Sequence, residues 1–105
     1  MVGNAKNRKK PAMPSLDDLV AQAEALAPVF RERAAETERA RTPLAATMHD
    51  LFEAGLLRYF QPARYGGWEM EWGAQHALGR VIARACPSTA WIVAVVGAHA
   101  AFLAR

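Results

Sequence analysis

From Ala90 to Ala104 the chain runs through fifteen residues in which His99 is the only strongly polar side chain. A helix that is apolar on every side is stable only when protein or lipid covers every side. A bilayer core needs about 20 apolar residues, so this run is too short to span one and reads as a central helix under protein cover. The upstream sequence supplies three helices with one apolar face each, and the chain reaches Arg105 before any further cover appears. The expectation is therefore an all-α helical bundle whose burial is completed by a β-domain or another helical layer, in this chain or in a different one.

The upstream helices are legible from spacing. Ser15 followed by Asp18 forms a capping-box pattern, and Leu16, Leu19, Val20, Ala23, Leu26, Ala27 and Phe30 then step by three and four along one stripe. Pro28 removes one backbone hydrogen bond, which predicts either a kink near Ala27 or two abutting helices, with helix resuming to about Arg39. Thr42-Pro43 reads as N-cap and first residue of a second helix. That helix buries Leu44, Met48, Leu51 and Phe52 and closes at Gly55, with Leu56 folding back over Leu51. Pro62 and the pair Gly66-Gly67 place the main loop at 61–67. A third helix, from about Trp72 to Arg84, carries Ala74, Ala77, Leu78, Val81, Ile82 and Ala85 inward, and Gly79 within it predicts close approach of another helix. Pro87-Ser88-Thr89 breaks the chain and caps the apolar fourth helix.

Hydrophobic residues make up 52% of the 105 residues and charged ones 22%, the balance of a folded globular chain. The net charge of +3 is confined to the start: Lys6, Arg8, Lys9 and Lys10 lie in a polar segment, 1–14, read as a flexible basic tail. Beyond it nine basic residues face ten acidic ones, so no basic stripe remains to track a nucleic acid. The tail has no apolar stretch of the kind a secretory signal requires. The single cysteine, Cys86, fits a reducing cytoplasm and a semi-buried thiol. No metal-ligand spacing, phosphate loop, dinucleotide fingerprint or Ser-His-Asp arrangement is present. His49 and His76 fall on surface positions, and the pair Asp50 and Glu53 reads as a solvated face.

Three clusters of residues carry a likeness. Gly55-Leu56-Leu57, then Pro62-Ala63-Arg64-Tyr65-Gly66-Gly67, then Cys86-Pro87-Ser88-Thr89-Ala90-Trp91 with His99 resemble the N-terminal helical domain of the acyl-CoA dehydrogenase superfamily. The Ser-Thr-Ala-Trp element with a histidine eight residues later is most similar to oxygenase components of two-component flavin-dependent monooxygenases. The resemblance covers about Leu16 to Arg105 and implies a domain at 15–105 that lacks the middle β-domain and the C-terminal four-helix domain. It further implies reduced FMN or FAD delivered by a separate reductase, a small-molecule substrate, a homotetramer at full length, and a short chain that retains neither flavin nor turnover. An acyl-CoA dehydrogenase, or a non-catalytic helical interaction module or gene remnant, are the alternative readings.

On one helix Trp91 and His99 would lie roughly 12 Å apart along the axis and about 80° apart around it. The resemblance implies that both border a flavin and substrate pocket and that His99 is the catalytic candidate, meeting the polar end of the substrate. A neutral imidazole can accept a phenol's proton or donate a hydrogen bond to its oxygen. The competing readings are a buried His99 bonded to a backbone carbonyl and a Trp91 packed in the core. Arg64 and Tyr65 could form a small polar site, but the two glycines account for the loop without one.

Overall fold

The computed structural model describes residues 13–103. The described part of the chain is helical, with α1 at Leu16–Ala40, α2 at Ala45–Glu53, α3 at Gly73–Ala85 and α4 at Pro87–Leu103, plus one 3₁₀ turn at Ala63–Tyr65. Among these residues no helix is long and apolar enough to cross a membrane. The basic tail falls almost wholly outside the described residues.

The start of α1 follows its sequence signal. Asp18 N–H donates to Ser15 Oγ at 3.1 Å while Ser15 N–H donates to the Asp18 carboxylate at 3.0 Å, so the first turn has partners for donors that would otherwise lack them. Of the two outcomes expected of Pro28, the division into two abutting helices does not occur: α1 is one uninterrupted element of 25 residues. Pro28 and Glu24, whose carbonyl loses its donor, are both exposed, so water can solvate that carbonyl. The buried stripe is Leu19, Ala23, Phe30 and Thr37. Arg41, left-handed at φ 58°, closes the helix with its N–H on Thr37 O.

The second helix begins later than Thr42-Pro43 implied. Leu44 is its N-cap, without a side-chain hydrogen bond. Its inward residues are Thr47 and Leu51, whereas Phe52 is 55% exposed and does not join the core. Arg33 explains the difference, since its guanidinium reaches Thr47 Oγ1 at 3.1 Å and the Asp50 carboxylate at 2.9 Å and so sets which face of α2 turns towards α1. Its C-terminus matches the expectation. Gly55, at φ 75°, donates to Phe52 O and Leu56 donates to Leu51 O, which is the paired bonding of a Schellman close, and both leucines are fully buried.

Between α2 and α3 the backbone doubles back on itself. Trp68 N–H bonds Arg58 O, Glu69 N–H bonds Gln61 O and Met70 N–H bonds Tyr59 O. Gly67 permits this crossing, because a Cβ there would lie 2.2 Å from Gln61 Cβ and carbonyl oxygen. The Trp68 indole N–H then bonds Gly55 O at 2.8 Å, tying the loop to the end of α2. The doubled segment delivers Leu56, Tyr59 and Phe60 to the core.

Helix α3 packs on α1 with one face and on α4 with another. Ala74, Leu78, Ile82 and Ala85 are its buried residues. Gly79 has nothing among the described residues within 4 Å of where a Cβ would stand, so the close approach expected there is not made by them and Gly79 lines an open groove. Only Cys86, extended and buried rather than half-buried, separates α3 from α4, and Pro87 is already the first residue of α4.

Candidate functional site

Helix α4 presents three buried positions to the core, Thr89, Val93 and Gly97, spaced four apart on one ridge. Tyr59 grips that ridge. Its ring is fully buried, and its hydroxyl donates to Val93 O at 2.8 Å. Burial disfavours the phenolate, pushing the Tyr59 hydroxyl up to about 12. The ring fits only because residue 97 has no side chain, since a Cβ there would stand 2.1 Å from Tyr59 Oη and 2.3 Å from Cζ. The close helix approach assigned from the sequence to Gly79 is thus made at Gly97, by a loop aromatic.

With the Thr89–Val93–Gly97 ridge inward, the opposite side of α4 faces out. Trp91 is 69% exposed, and His99 is exposed as well. Neither the core reading of Trp91 nor the buried, carbonyl-bonded reading of His99 holds. Arg64 and Tyr65 are exposed on the loop, with the Arg64 guanidinium 4.9 Å from the Tyr65 ring centre. His49 and His76 are exposed as expected, and Asp50 is engaged by Arg33.

Trp91 also lines a cleft of about 570 Å³ between the C-terminal end of α1 and the first turn of α4, together with Thr37, Glu38, Arg41, Ser88 and Thr89 among others. Ser88 Oγ donates to a Glu38 carboxylate oxygen at 2.7 Å across it. His99 is not on its wall, so Trp91 and His99 share a helix but not this cavity. Sequence reasoning singled out Trp91 and His99 and passed over Tyr59, Gly97, Glu38 and Arg41. The available signal was a hydroxyl inside the apolar run Leu56–Phe60 and a glycine inside an apolar helix; their 38-residue separation gives no local pattern that pairs them.

Comparison with known proteins bears on the same residues. The profile of the family described as "Acyl-CoA dehydrogenase, N-terminal domain" matches residues 18–105. The chain belongs to this family. Among curated relatives of this acyl-CoA dehydrogenase N-terminal domain, a pigment production hydroxylase of Rhodococcus sp. (strain ATCC 21145) is 40% identical over 75 residues, 71% of this chain and 19% of the relative. The oxygenase subunit HsaA, a flavin-dependent monooxygenase of Rhodococcus jostii (strain RHA1), is 40% identical over 76 residues, 72% of this chain and 20% of that protein. A dibenzothiophene monooxygenase of Rhodococcus erythropolis is 36% identical over 80 residues, 76% of this chain and 19% of its own length. The domain thus spans about a fifth of the length of these relatives. No solved structure matches it.

Proposed function

We propose that this domain is the N-terminal part of the oxygenase component of a two-component flavin-dependent monooxygenase acting on an aromatic or related small molecule. The observation that carries this reading is the outward presentation of Trp91 and His99 on an otherwise apolar helix, in a chain 40% identical to a flavin-dependent oxygenase subunit. An exposed indole plane and an imidazole without a hydrogen-bond partner among the described residues suit the border of a planar ring and a polar substituent. Reduced FMN or FAD, supplied by a separate reductase, would contribute two electrons for O₂, one oxygen atom entering a new C–OH bond and the other leaving as water. The apolar wall of α4 helps exclude water, Trp91 limits the ring positions open to ligand, and His99 accepts a proton from the substrate hydroxyl or donates a hydrogen bond to its oxygen. Within this reading the working assembly is a homotetramer, and the free buried Cys86 thiol suits the cytoplasm.

The test uses the natural-length polypeptide that carries this domain. His99→Ala should lower product hydroxylation at least tenfold while flavin affinity stays within about twofold. Unchanged turnover would remove His99 from the chemistry. Anaerobic bleaching of bound flavin by an acyl-CoA, with no hydroxylation of aromatic substrates, would assign the domain to a dehydrogenase instead.

A further inference from the structure

Beside Trp91, the cleft between α1 and α4 holds groups that the oxygenase reading leaves unused, among them Arg41, Ser88 and Thr89. We infer that it is a binding site for a planar aromatic anion, with the oxyanion at the first turn of α4 and the ring against Trp91. Three observations carry this. Pro87 has no N–H, and the amides of Ser88 and Thr89 have no acceptor among the described residues, so the start of a 17-residue helix presents two free donors. The Thr89 side chain, only 2% exposed, lines the cleft with a hydroxyl that has no hydrogen-bond partner among the described residues. No wholly inaccessible side-chain oxygen lacks a partner among the described residues, so what remains open of Thr89 includes that hydroxyl. Arg41, held beside the cleft by the left-handed close of α1, adds a guanidinium, the side chain best shaped for a carboxylate or phosphate.

The position of Trp91 supplies the ring contact. It follows Ser88 by three residues, one turn up on the same side of α4, and helical side chains lean towards the N-terminus. Its exposed indole therefore overhangs the turn carrying the free amides. Glu38 opposes an anion, but its carboxylate already accepts the Ser88 hydroxyl, and the donors from Arg41, Thr89 and the helix end outnumber it. The charges give opposite expectations for two single substitutions, Arg41→Asn and Glu38→Gln. Asparagine also tolerates the left-handed backbone at position 41.

The experiment is a titration of the ¹⁵N-labelled 105-residue chain, read at its backbone amides and indole N–H, with benzoate, phenyl phosphate, benzamide and cyclohexanecarboxylate. Benzoate or phenyl phosphate should bind with a Kd on the order of 1–10 mM, moving the Ser88, Thr89 and Trp91 signals first. The tighter of the two decides whether carboxylate or phosphate is the natural group. Benzamide and cyclohexanecarboxylate should each bind at least fivefold more weakly. Arg41→Asn should weaken binding at least threefold, Glu38→Gln should tighten it about twofold, and Thr89→Val, which keeps the shape, should weaken it. The unchanged amide spectrum away from the cleft shows that each variant is folded. Benzamide binding as tightly as benzoate would overturn the anion site, and cyclohexanecarboxylate doing so would overturn the ring contact. Shifts centred elsewhere, or none, would overturn the whole inference. Trp91 is shared with the oxygenase reading, but no flavin or turnover enters the titration, so its failure and the failure of that reading are distinguishable.

Discussion

Replacing Gly97 by alanine tests the contact that orients α4. In an isolated helix the change is favourable by up to about 1 kcal/mol, because glycine carries the larger entropy loss. Here the added methyl would stand 2.1 Å from Tyr59 Oη and 2.3 Å from Cζ, against an ordinary separation of about 3.5–4 Å. The ring must therefore retreat by more than 1 Å within a packed core. Overpacking of this kind costs about 1–3 kcal/mol, and the displaced hydroxyl loses its bond to Val93 O, about 1–1.5 kcal/mol more. Set against the propensity gain, the net is a destabilisation of about 2 kcal/mol, or a fall of about 8–16 °C in Tm for a domain of this size. Gly79→Ala is the matched control, since nothing among the described residues lies within 4 Å of its methyl and only the propensity gain remains. Urea unfolding followed by far-ultraviolet circular dichroism should move the two midpoints in opposite directions. A Gly97→Ala variant as stable as the parent, or stabilised like Gly79→Ala, would refute the close fit of Tyr59 on α4.

Tyr59 loses its proton near pH 10 when unfolded and near 12 when folded; the folded state then holds more protons, so stability is flat below pH 10 and falls between 10 and 12 by up to about 1.4 kcal/mol per pH unit. Alkaline unfolding monitored by circular dichroism should show that fall, and Tyr59→Phe should remove it. Arg33→Met leaves the buried Thr47 hydroxyl and the Asp50 carboxylate without their shared partner and should cost about 1–2 kcal/mol in chemical denaturation. Gly67→Ala should loosen the doubled segment and expose Trp68, giving a red-shifted emission, because the atoms in the way belong to the Gln61 backbone and Cβ. Gly66→Ala has open space and only its left-handed φ of 88° against it, so it should cost about 1 kcal/mol with the emission unchanged.

Elements defined by short-range spacing were legible. The capping box at Ser15, the Schellman close at Gly55 and the stripe Ala74–Leu78–Ile82–Ala85 each depend on residues within one or two turns, and the structure contains all three. The misreadings involve competition from outside that window. Pro28 is tolerated because its face is wet, Phe52 gives way to Thr47 because Arg33 arrives from another helix, and the corner at Cys86 is tighter than Pro87-Ser88-Thr89 suggested. At the candidate site, Trp91 and His99 were legible as unusual residues in an apolar run. Whether they faced in or out was not.

The orientation of α4 shows why. When every side of a helix is apolar, rotating it exchanges one hydrophobic contact for another, and the pattern of burial in sequence prefers no face. Specificity must then come from groups that distinguish one rotation from the next. In α4 these are a residue without a side chain and a carbonyl that receives the Tyr59 hydroxyl, both on the ridge of Val93 and Gly97. A rotation of 100°, one residue, would bring a side chain against the ring and carry the Val93 carbonyl out of reach. Trp91 and His99 face outward because Gly97 and Tyr59 face each other. Substituting either exposed residue with alanine should change stability by less than about 0.5 kcal/mol, whereas disturbing Tyr59 or Gly97 should turn the outer face as well as weaken the fold. Fluorescence quenching of Trp91 by iodide, with Trp68 and Trp72 replaced by phenylalanine in the background chain, distinguishes the two cases. Quenching that stays constant when Gly97 becomes alanine would show that another contact holds the helix in its rotation.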